Sequence, residues 1–341
     1  MAVTVKDVAK LAGVSPSTVS RVCNNNPNIS KETRDRVQKA IEELGYELPV
    51  SQDTAAPAAT RHIVVILPPS TGELYENSFY LKAIRGISQV CNQRMVTISV
   101  VTGKDYEEVL QSVRTLHRSG KPDGFILLYS RKDDVMVDYL CEQGLLYVIV
   151  GKASELTGQT VCIDNDNLLA GREAADYLYD LGHRHIGYVG SRNDFLYAND
   201  RRTGYQLSLM LHELPVRPEY CVEMASLGTA GETELKNLLQ REDRPTAFVV
   251  SDDILALALE RACYQLSLSI PEDISIIAFN NSLYAQLTSP QLTAVDINSF
   301  QLGQEAANQI INHADNPNLT TTKIIVPHKI VPRSSCKRLL P

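Results

Sequence analysis

The chain has 341 residues, too many for one ordinary hydrophobic core, so length alone points to roughly two or three domains. An apolar fraction of 44% with 21% charged residues is that of a globular protein. No apolar run approaches the ~20 residues that span a bilayer, the N-terminus carries no apolar core of an export signal, and the seven scattered cysteines form no CxxC pair. A membrane protein, a disulfide framework and a zinc site are therefore all disfavoured, and a cytosolic protein with reduced thiols is expected. The net charge of −7 argues against a nucleic-acid binder, but its distribution reverses that argument. Residues 1–40 hold seven Lys/Arg against three Asp/Glu, while the rest holds 26 against 37. A basic head on an acidic body suits a small DNA-facing module.

Three helices are predicted in the first 45 residues. Thr4 and Asp7 have capping-box spacing, and Val5, Val8, Ala9 and Ala12 give one apolar face that stops at Gly13. Ser15 caps a second helix, with Pro16 at its first position, where a missing amide costs nothing. This helix runs to Cys23 with Val19 and Val22 inward. After an Asn-rich loop, Ser30 caps a third helix that buries Val37, Ala40, Ile41 and Leu44 and ends at Gly45.

Two helices joined by a tight glycine turn and braced by a third form a helix-turn-helix, whose second helix enters the major groove. Pro16, Ser17 and Arg21 then face base edges, and Arg21 suits a bidentate contact to guanine worth ~1–3 kcal/mol. Thr18, Ser20 and Asn24 are short donors for phosphate oxygens, and Asn28 and Tyr46 complete the DNA-contacting set. The competing reading, a three-helix module that binds no DNA, leaves the outward polar residues of the second helix without a purpose.

Residues 47–61 have the composition of a flexible linker. From His62 onward, β-branched runs alternate with amphipathic stretches. Strands are predicted at Ile63–Leu67, Val96–Val101, Gly124–Tyr129, Tyr147–Val150, Ile186–Val189, Ala247–Val250 and Ile274–Ala278. Helices are predicted at Tyr80–Val90, Tyr106–Leu116, Asp134–Gln143, Leu168–Leu181, Arg201–Leu211 and Ile254–Gln265. The alternation implies doubly wound parallel sheets, and some 280 residues imply two such lobes with a ligand cleft between them. The fold class expected is thus a small all-α helix-turn-helix head plus a two-lobed α/β domain.

Enzymatic signatures are missing from the sequence: no GxGxxG, no P-loop and no GxSxG elbow. No catalytic residue, metal or cofactor is expected. His183 and His185 resemble a ligand pair, but they sit at a helix-to-strand turn without carboxylates at metal spacing, which favours a packing role.

The run from Val3 to Val22, continued by Ser30-Lys31-Glu32-Thr33-Arg34 and Glu43-Leu44-Gly45-Tyr46, resembles the signature of the lactose/galactose repressor family of bacterial transcriptional regulators. The body is similar, more loosely, to that family's periplasmic-binding-protein-like type I effector domain. It shows Arg85-Gly86-Ile87, Asp164-Asn165-Asp166-Asn167, Asp200-Arg201-Arg202-Thr203-Gly204-Tyr205, Ser251-Asp252-Asp253 and Ala278-Phe279-Asn280-Asn281. Asn77-Ser78-Phe79-Tyr80 and Val295-Asp296-Ile297-Asn298-Ser299 look most like the maltose-operon repressors of Gram-positive bacteria.

The resemblance implies a helix-turn-helix domain at 1–46, a hinge at 47–61 and an effector-binding and dimerisation domain at 62–341. Lobe one is expected at about 62–163 plus 296–323, and lobe two at about 164–295 plus 324–341. It further implies that Phe79, Asp164, Asn165, Arg201, Asp252 and Asn280 contact the effector. Two of these have a competing structural reading: Asp252 as a helix cap and Phe79 as core. The expected partners are double-stranded operator DNA, a maltose-type sugar and a second copy of the chain, with a phosphocarrier protein as an optional coeffector and no membrane. The family's hinge carries an Ala-Arg-Ser-Leu-like run whose leucine wedges into the minor groove. Between Val50 and Thr60 this chain has neither leucine nor a basic residue, and it has Asp53 and Pro57 instead. Either a short helix around 51–56 forms on DNA with alanines at the groove, or DNA is bent little.

Overall fold

A computed structural model describes residues 3–23, 29–44, 46, 61–70, 77–153, 160–191, 195–224 and 230–339. The chain divides into two compact units, residues 1–60 and 61–341. The hinge readings for 47–60, the Gly45 cap, Asn24 and Asn28 fall outside the described residues.

In the first unit, helices α1 (Val5–Ala12), α2 (Pro16–Cys23) and α3 (Lys31–Leu44) close around Val8, Ala9, Ala12, Val19, Val22, Val37 and Ala40. Local chemistry sets their ends. The Thr4 amide donates to Asp7 Oδ2 at 2.9 Å, and the Thr4 hydroxyl donates to the same oxygen at 2.6 Å. Gly13 takes φ 66°, a left-handed cap that returns its N–H to the Ala9 carbonyl and turns the chain toward α2. Ser15 Oγ accepts from the Thr18 amide at the start of α2, and Ser30 Oγ accepts from the Thr33 amide at the start of α3. Ile41 and Leu44, predicted as buried, are half-buried, because the face they share with Tyr46 closes the rim of this small core.

The second unit holds two six-stranded sheets. The first contains β1 (His62–Ile66), β2 (Thr97–Val101), β3 (Gly124–Leu127), β4 (Tyr147–Val150), β5 (Val161–Asp164) and β11 (Lys323–Ile325). Its order is β11-β5-β4-β3-β1-β2, parallel throughout. The second contains β6 (Ile186–Ser191), β7 (Cys221–Met224), β8 (Ala247–Val250), β9 (Ser275–Phe279), β10 (Thr293–Asp296) and β12 (Lys329–Val331). Its order is β12-β10-β9-β8-β6-β7, parallel except for β12. β3, β4, β5, β8 and β9 are buried at every residue, and β3, β4, β8 and β9 accordingly read as apolar runs rather than alternating ones.

Helices cover both faces of each sheet. Those of the first lobe are α4 (Ser78–Gln93), α5 (Tyr106–Gly120) and α6 (Val135–Glu142). Those of the second are α7 (Asn167–Asp180), α8 (Leu196–Leu211), α9 (Ala230–Leu239), α10 (Asp253–Gln265) and the short α11 (Leu283–Leu287). The last helix, α12 (Ser299–Asp315), follows β10 but packs on α4 in the first lobe, so the chain passes between lobes three times: at 164–167, at 296–299 and at 326–328.

Each lobe is tied by a helix pair in backbone contact. A Cβ on Gly86 would lie 2.1 Å from the Phe300 carbonyl oxygen, and one on Gly303 would lie 2.0 Å from that of Ala83. In the second lobe Gly171 and Gly204 seat α7 against α8 in the same way. Larger residues at these positions would push the helices apart.

Several elements differ from expectation. The helix predicted from Arg201 begins at Leu196, because its N-cap, Phe195, makes no side-chain capping bond that a sequence could signal. The strands β5, β7, β10, β11 and β12 and the helices α9, α11 and α12 had no predicted counterpart. Three or four residues of strand carry too little periodicity, and edge strands β7 and β12 are only partly buried.

Candidate functional site

The two sheets point their C-terminal strand ends at one cavity between the lobes. It is lined by Phe79, Asp164, Asn165, Arg201, Asp252 and Asn280, and also by Asn77, Tyr80, Tyr129, Asn167 and Tyr197. The position follows from topology: Tyr129 comes just after β3, Asp164 ends β5, Asp252 follows β8 and Asn280 follows β9.

Two hydrogen-bonded sets organise the polar wall. In the first, Asp164 Oδ1 accepts from the Asn167 amide at 3.0 Å, and Asn167 Oδ1 accepts from Arg201 Nε at 2.9 Å. Arg201 then donates from Nη1 to the Ser251 carbonyl at 2.7 Å. Its guanidinium lies 4.8 Å from the Tyr197 ring centroid and 4.2 Å from that of Phe279, so its plane and its fork are both engaged. In the second set, Asp252 Oδ2 accepts from Asn77 Nδ2 at 2.7 Å and from Asn280 Nδ2 at 2.9 Å. Asp252 Oδ1 meanwhile accepts from the Ile254 amide at 2.8 Å. Asp252 is therefore both a helix cap and a cavity wall, and the two readings open in the sequence are one. Asn280 holds φ 84°, a left-handed conformation that Asn tolerates, at the end of β9.

Asn165 lines the cavity, but its amide group is committed elsewhere. Nδ2 donates to the Ile297 carbonyl at 3.0 Å and to the Val326 carbonyl at 2.8 Å, joining all three interlobe crossings at one side chain. Phe79 is half-buried and meets Tyr80 edge to face at 5.2 Å, so it belongs to the core margin as well as to the cavity. Asn77, Asn167, Tyr129 and Tyr197 were not singled out in the sequence. Asn167 carried a signal, three residues after Asp164 in an Asp-Asn-Asp-Asn run.

Contacts across the seam hold the lobes together around the cavity. Besides Asn77 to Asp252, Lys82 Nζ donates to the Asn281 carbonyl at 2.9 Å, Lys152 Nζ lies 3.3 Å from Asp200, and the Leu196 amide donates to the Ser130 carbonyl at 3.0 Å.

Burial pushes the Asp164 carboxyl up to about 6 and raises Asp252 as well. Beside the latter, Asp253 is pushed up to about 7, first by burial and then by the charge of Asp252. One of its oxygens accepts from the Ser282 amide at 3.0 Å, and the other has no partner. A carboxyl raised from ~3.9 to about 7 keeps its proton in the folded state while the unfolded chain has lost it. Stability therefore falls as pH rises from about 4 to about 7. Asp253→Asn removes that loss and keeps an acceptor for Ser282. In melting curves between pH 5 and pH 8, the variant's advantage over the wild type is expected to grow with pH; a constant difference would contradict the assignment.

His183 and His185 are packing residues in this structure. His183 is buried against the Thr246 hydroxyl at 2.9 Å and the Lys337 carbonyl at 3.3 Å, and burial lowers its pKa to about 4. His185 faces the Tyr220 hydroxyl at 3.2 Å. Among the described residues no group of three His, Cys, Asp or Glu side chains could hold a metal ion, and no helix is long and apolar enough to cross a membrane.

In the helix-turn-helix unit, Pro16, Ser17, Ser20 and Arg21 are exposed, while Val19 and Val22 of the same helix are buried. Thr18 is half-buried and shares hydroxyl hydrogen bonds with Ser15. Tyr46 packs against the core of the unit.

Comparison with known proteins is consistent along the whole chain. Residues 4–47 match the family model of bacterial regulatory proteins of the lacI family, and residues 175–336 match the periplasmic-binding-protein-like domain. The transcriptional regulator MalR of Streptococcus pneumoniae is 33% identical over 340 residues, spanning 97% of this chain and 99% of that one. The chain belongs to the lacI family. Its members here are DNA-binding regulators, and this repressor is not an enzyme. Among solved structures, a lacI-type regulator from Bacillus cereus subsp. cytotoxis superposes with TM-score 0.78 at 33% identity, covering 82% of this chain and all of that one. A transcriptional regulator CelR–cellobiose complex superposes with TM-score 0.73 at 25% identity, covering 98% of this chain and 99% of that one.

Proposed function

We propose that this repressor binds a near-palindromic operator as a homodimer and is released when a small sugar of the maltose type fills the cleft. The lining of the cavity carries the reading. Carboxylates that accept and amides that both donate and accept, set among Phe79, Tyr80, Tyr129 and Tyr197, suit a neutral polyol with apolar ring faces. A sugar phosphate would want several cations, and among the described residues of the lining the one arginine, Arg201, already spends two donors on Asn167 and Ser251. The MalR relative and the cellobiose complex support a disaccharide.

Dimerisation is supported by need and by surface. One helix-turn-helix reads few bases, and two-fold symmetry sets two of them on half-sites about one helical turn apart. Leu81 on α4 and Leu283 and Leu287 on α11 are 69%, 61% and 71% exposed, apolar side chains that a second copy would cover. Pro16, Ser17 and Arg21 then meet the base edges of the major groove, and Thr18, Ser20, Asn24, Asn28 and Tyr46 complete the DNA-contacting set.

A gel shift with the DNA upstream of the protein's own gene, combined with calorimetry against maltose, maltotriose, sugar phosphates and purines, tests this reading. Operator binding and heat with the two maltosaccharides alone are expected. No shift, or binding confined to a phosphate or purine, would contradict it.

A further inference from the structure

Hydrogen bonds from both lobes converge on the Asp252 carboxylate. Oδ1 accepts from the Ile254 amide at 2.8 Å, in the first turn of α10, and Oδ2 accepts from Asn280 Nδ2 at 2.9 Å, just after β9. Both donors belong to the second lobe and are fixed by its own elements. A further donor, Asn77 Nδ2, reaches the same Oδ2 at 2.7 Å from the first lobe. The two lone pairs of that oxygen are then both taken. Asp252 is 9% exposed and lines the central cavity, so a hydroxyl entering there bonds Oδ2 only if one of these donors leaves. Asn77 is the donor that can leave with every element intact, because its departure requires only that the lobes shift.

Local structure holds Asn77 in this pose. Its Oδ1 accepts from the Phe79 amide at 3.0 Å and caps α4, while its Nδ2 spans the seam to Asp252. Five residues on, Lys82 Nζ donates at 2.9 Å to the carbonyl of Asn281, the neighbour of Asn280. The start of α4 is thus bolted to one corner of the second lobe by two side chains. The backbone contact at Gly86 and Gly303 locks α4 to α12, so α4 moves with the first lobe. Lys82, unlike Asn77, is not among the described residues that line the cavity.

We propose that Asn77 is a built-in competitor of the effector: its amide holds the Asp252 oxygen that a sugar hydroxyl takes, and the sugar releases the repressor by displacing it. This inference rests on the sugar-effector reading and adds the step that couples binding to the lobes. One donor replaces another on the carboxylate, so the sugar opens the latch with its remaining contacts. Its apparent affinity is reduced in proportion to the fraction of molecules already unlatched. The latched arrangement is the one that binds operator, because the ligand that excludes it is the ligand that ends repression.

Two variants of the full chain test the competition, by calorimetry with maltose and by fluorescence anisotropy with operator DNA. Asn77→Ser keeps a capping oxygen for α4 but is too short to reach Asp252. Lys82→Met keeps the apolar stem, removes the second bolt and leaves the cavity lining unaltered. Each is expected to bind maltose about tenfold or more tightly than the wild type, and to bind operator severalfold more weakly in the absence of sugar. A general loss of stability would lower both affinities and cannot produce these opposed changes. Maltose binding that is unchanged or weaker in either variant would overturn the competition while leaving the sugar reading in place, and weaker binding by Asn77→Ser alone would make Asn77 an ordinary sugar contact. A wild type and variants that all fail to bind maltose would refute the sugar reading itself and the competition with it.

Discussion

Arg21→Ala is expected to weaken operator binding by about 30-fold or more while leaving the fold of the helix-turn-helix unit intact. Arg21 is exposed on α2, one residue from buried Val22, so its removal takes nothing from the core. A bidentate arginine–guanine contact is worth ~1–3 kcal/mol, and a dimer would make it twice. The loss should be specific: fluorescence anisotropy with operator DNA should show it, whereas binding to unrelated DNA at low salt, which depends on phosphate contacts, should change little. Equal affinity of variant and wild type for the operator would remove Arg21 from the reading surface. Ser15→Ala is a useful contrast, because it strips the α2 cap and should act through stability, by about 1 kcal/mol.

The second large effect concerns Arg201. Arg201→Lys is expected to lower effector affinity by about 100-fold or more and to leave a repressor that binds operator but is not released. Lysine keeps the charge, but it lacks the planar fork that reaches Asn167 and the Ser251 carbonyl and the flat face that lies between Tyr197 and Phe279. Removing one partner from a buried charged network costs about 3–5 kcal/mol in other proteins, so the melting temperature should fall as well. Calorimetry with maltose below the shifted melting temperature distinguishes the two effects. Unchanged sugar affinity in a folded Arg201→Lys variant would show that the arginine is a packing residue alone.

These two arginines also mark how far the sequence could be read. Arg21 was legible because everything that places it is local: the Gly13 turn, the Ser15 cap, Pro16 at the first helical position and the spacing of Val19 and Val22. Arg201 was legible as a resemblance, but its partners were not, since Asn167 lies 34 residues away and Ser251 lies 50. The pair Asn77 and Asp252 is 175 residues apart, and no periodicity carries such a contact. Asn165 shows a second role that its sequence position did not signal. It lines the cavity beside Asp164, and its Nδ2 also holds the interlobe crossings, because buried carbonyls at 297 and 326 need a donor. The alternation of strands and helices was readable wherever strands are central and apolar. It failed at the edge strands β7, β11 and β12 and at β5 and β10 beside the crossings, where strands of three or four residues depend on neighbours far along the chain.

The seam contacts give the regulatory account its physical content. A sugar can act on DNA binding only through a difference in affinity for two arrangements of the lobes, and Asn77–Asp252, Lys82–Asn281 and Lys152–Asp200 are contacts that such arrangements would make or break. Whatever factor the sugar takes from operator affinity, the operator must take from sugar affinity. Titration of maltose into the repressor alone and into the repressor saturated with operator measures that factor directly. The account predicts weaker sugar binding on the operator, by the same ratio as the sugar-induced loss of operator affinity. Identical sugar affinity in the two titrations would contradict it.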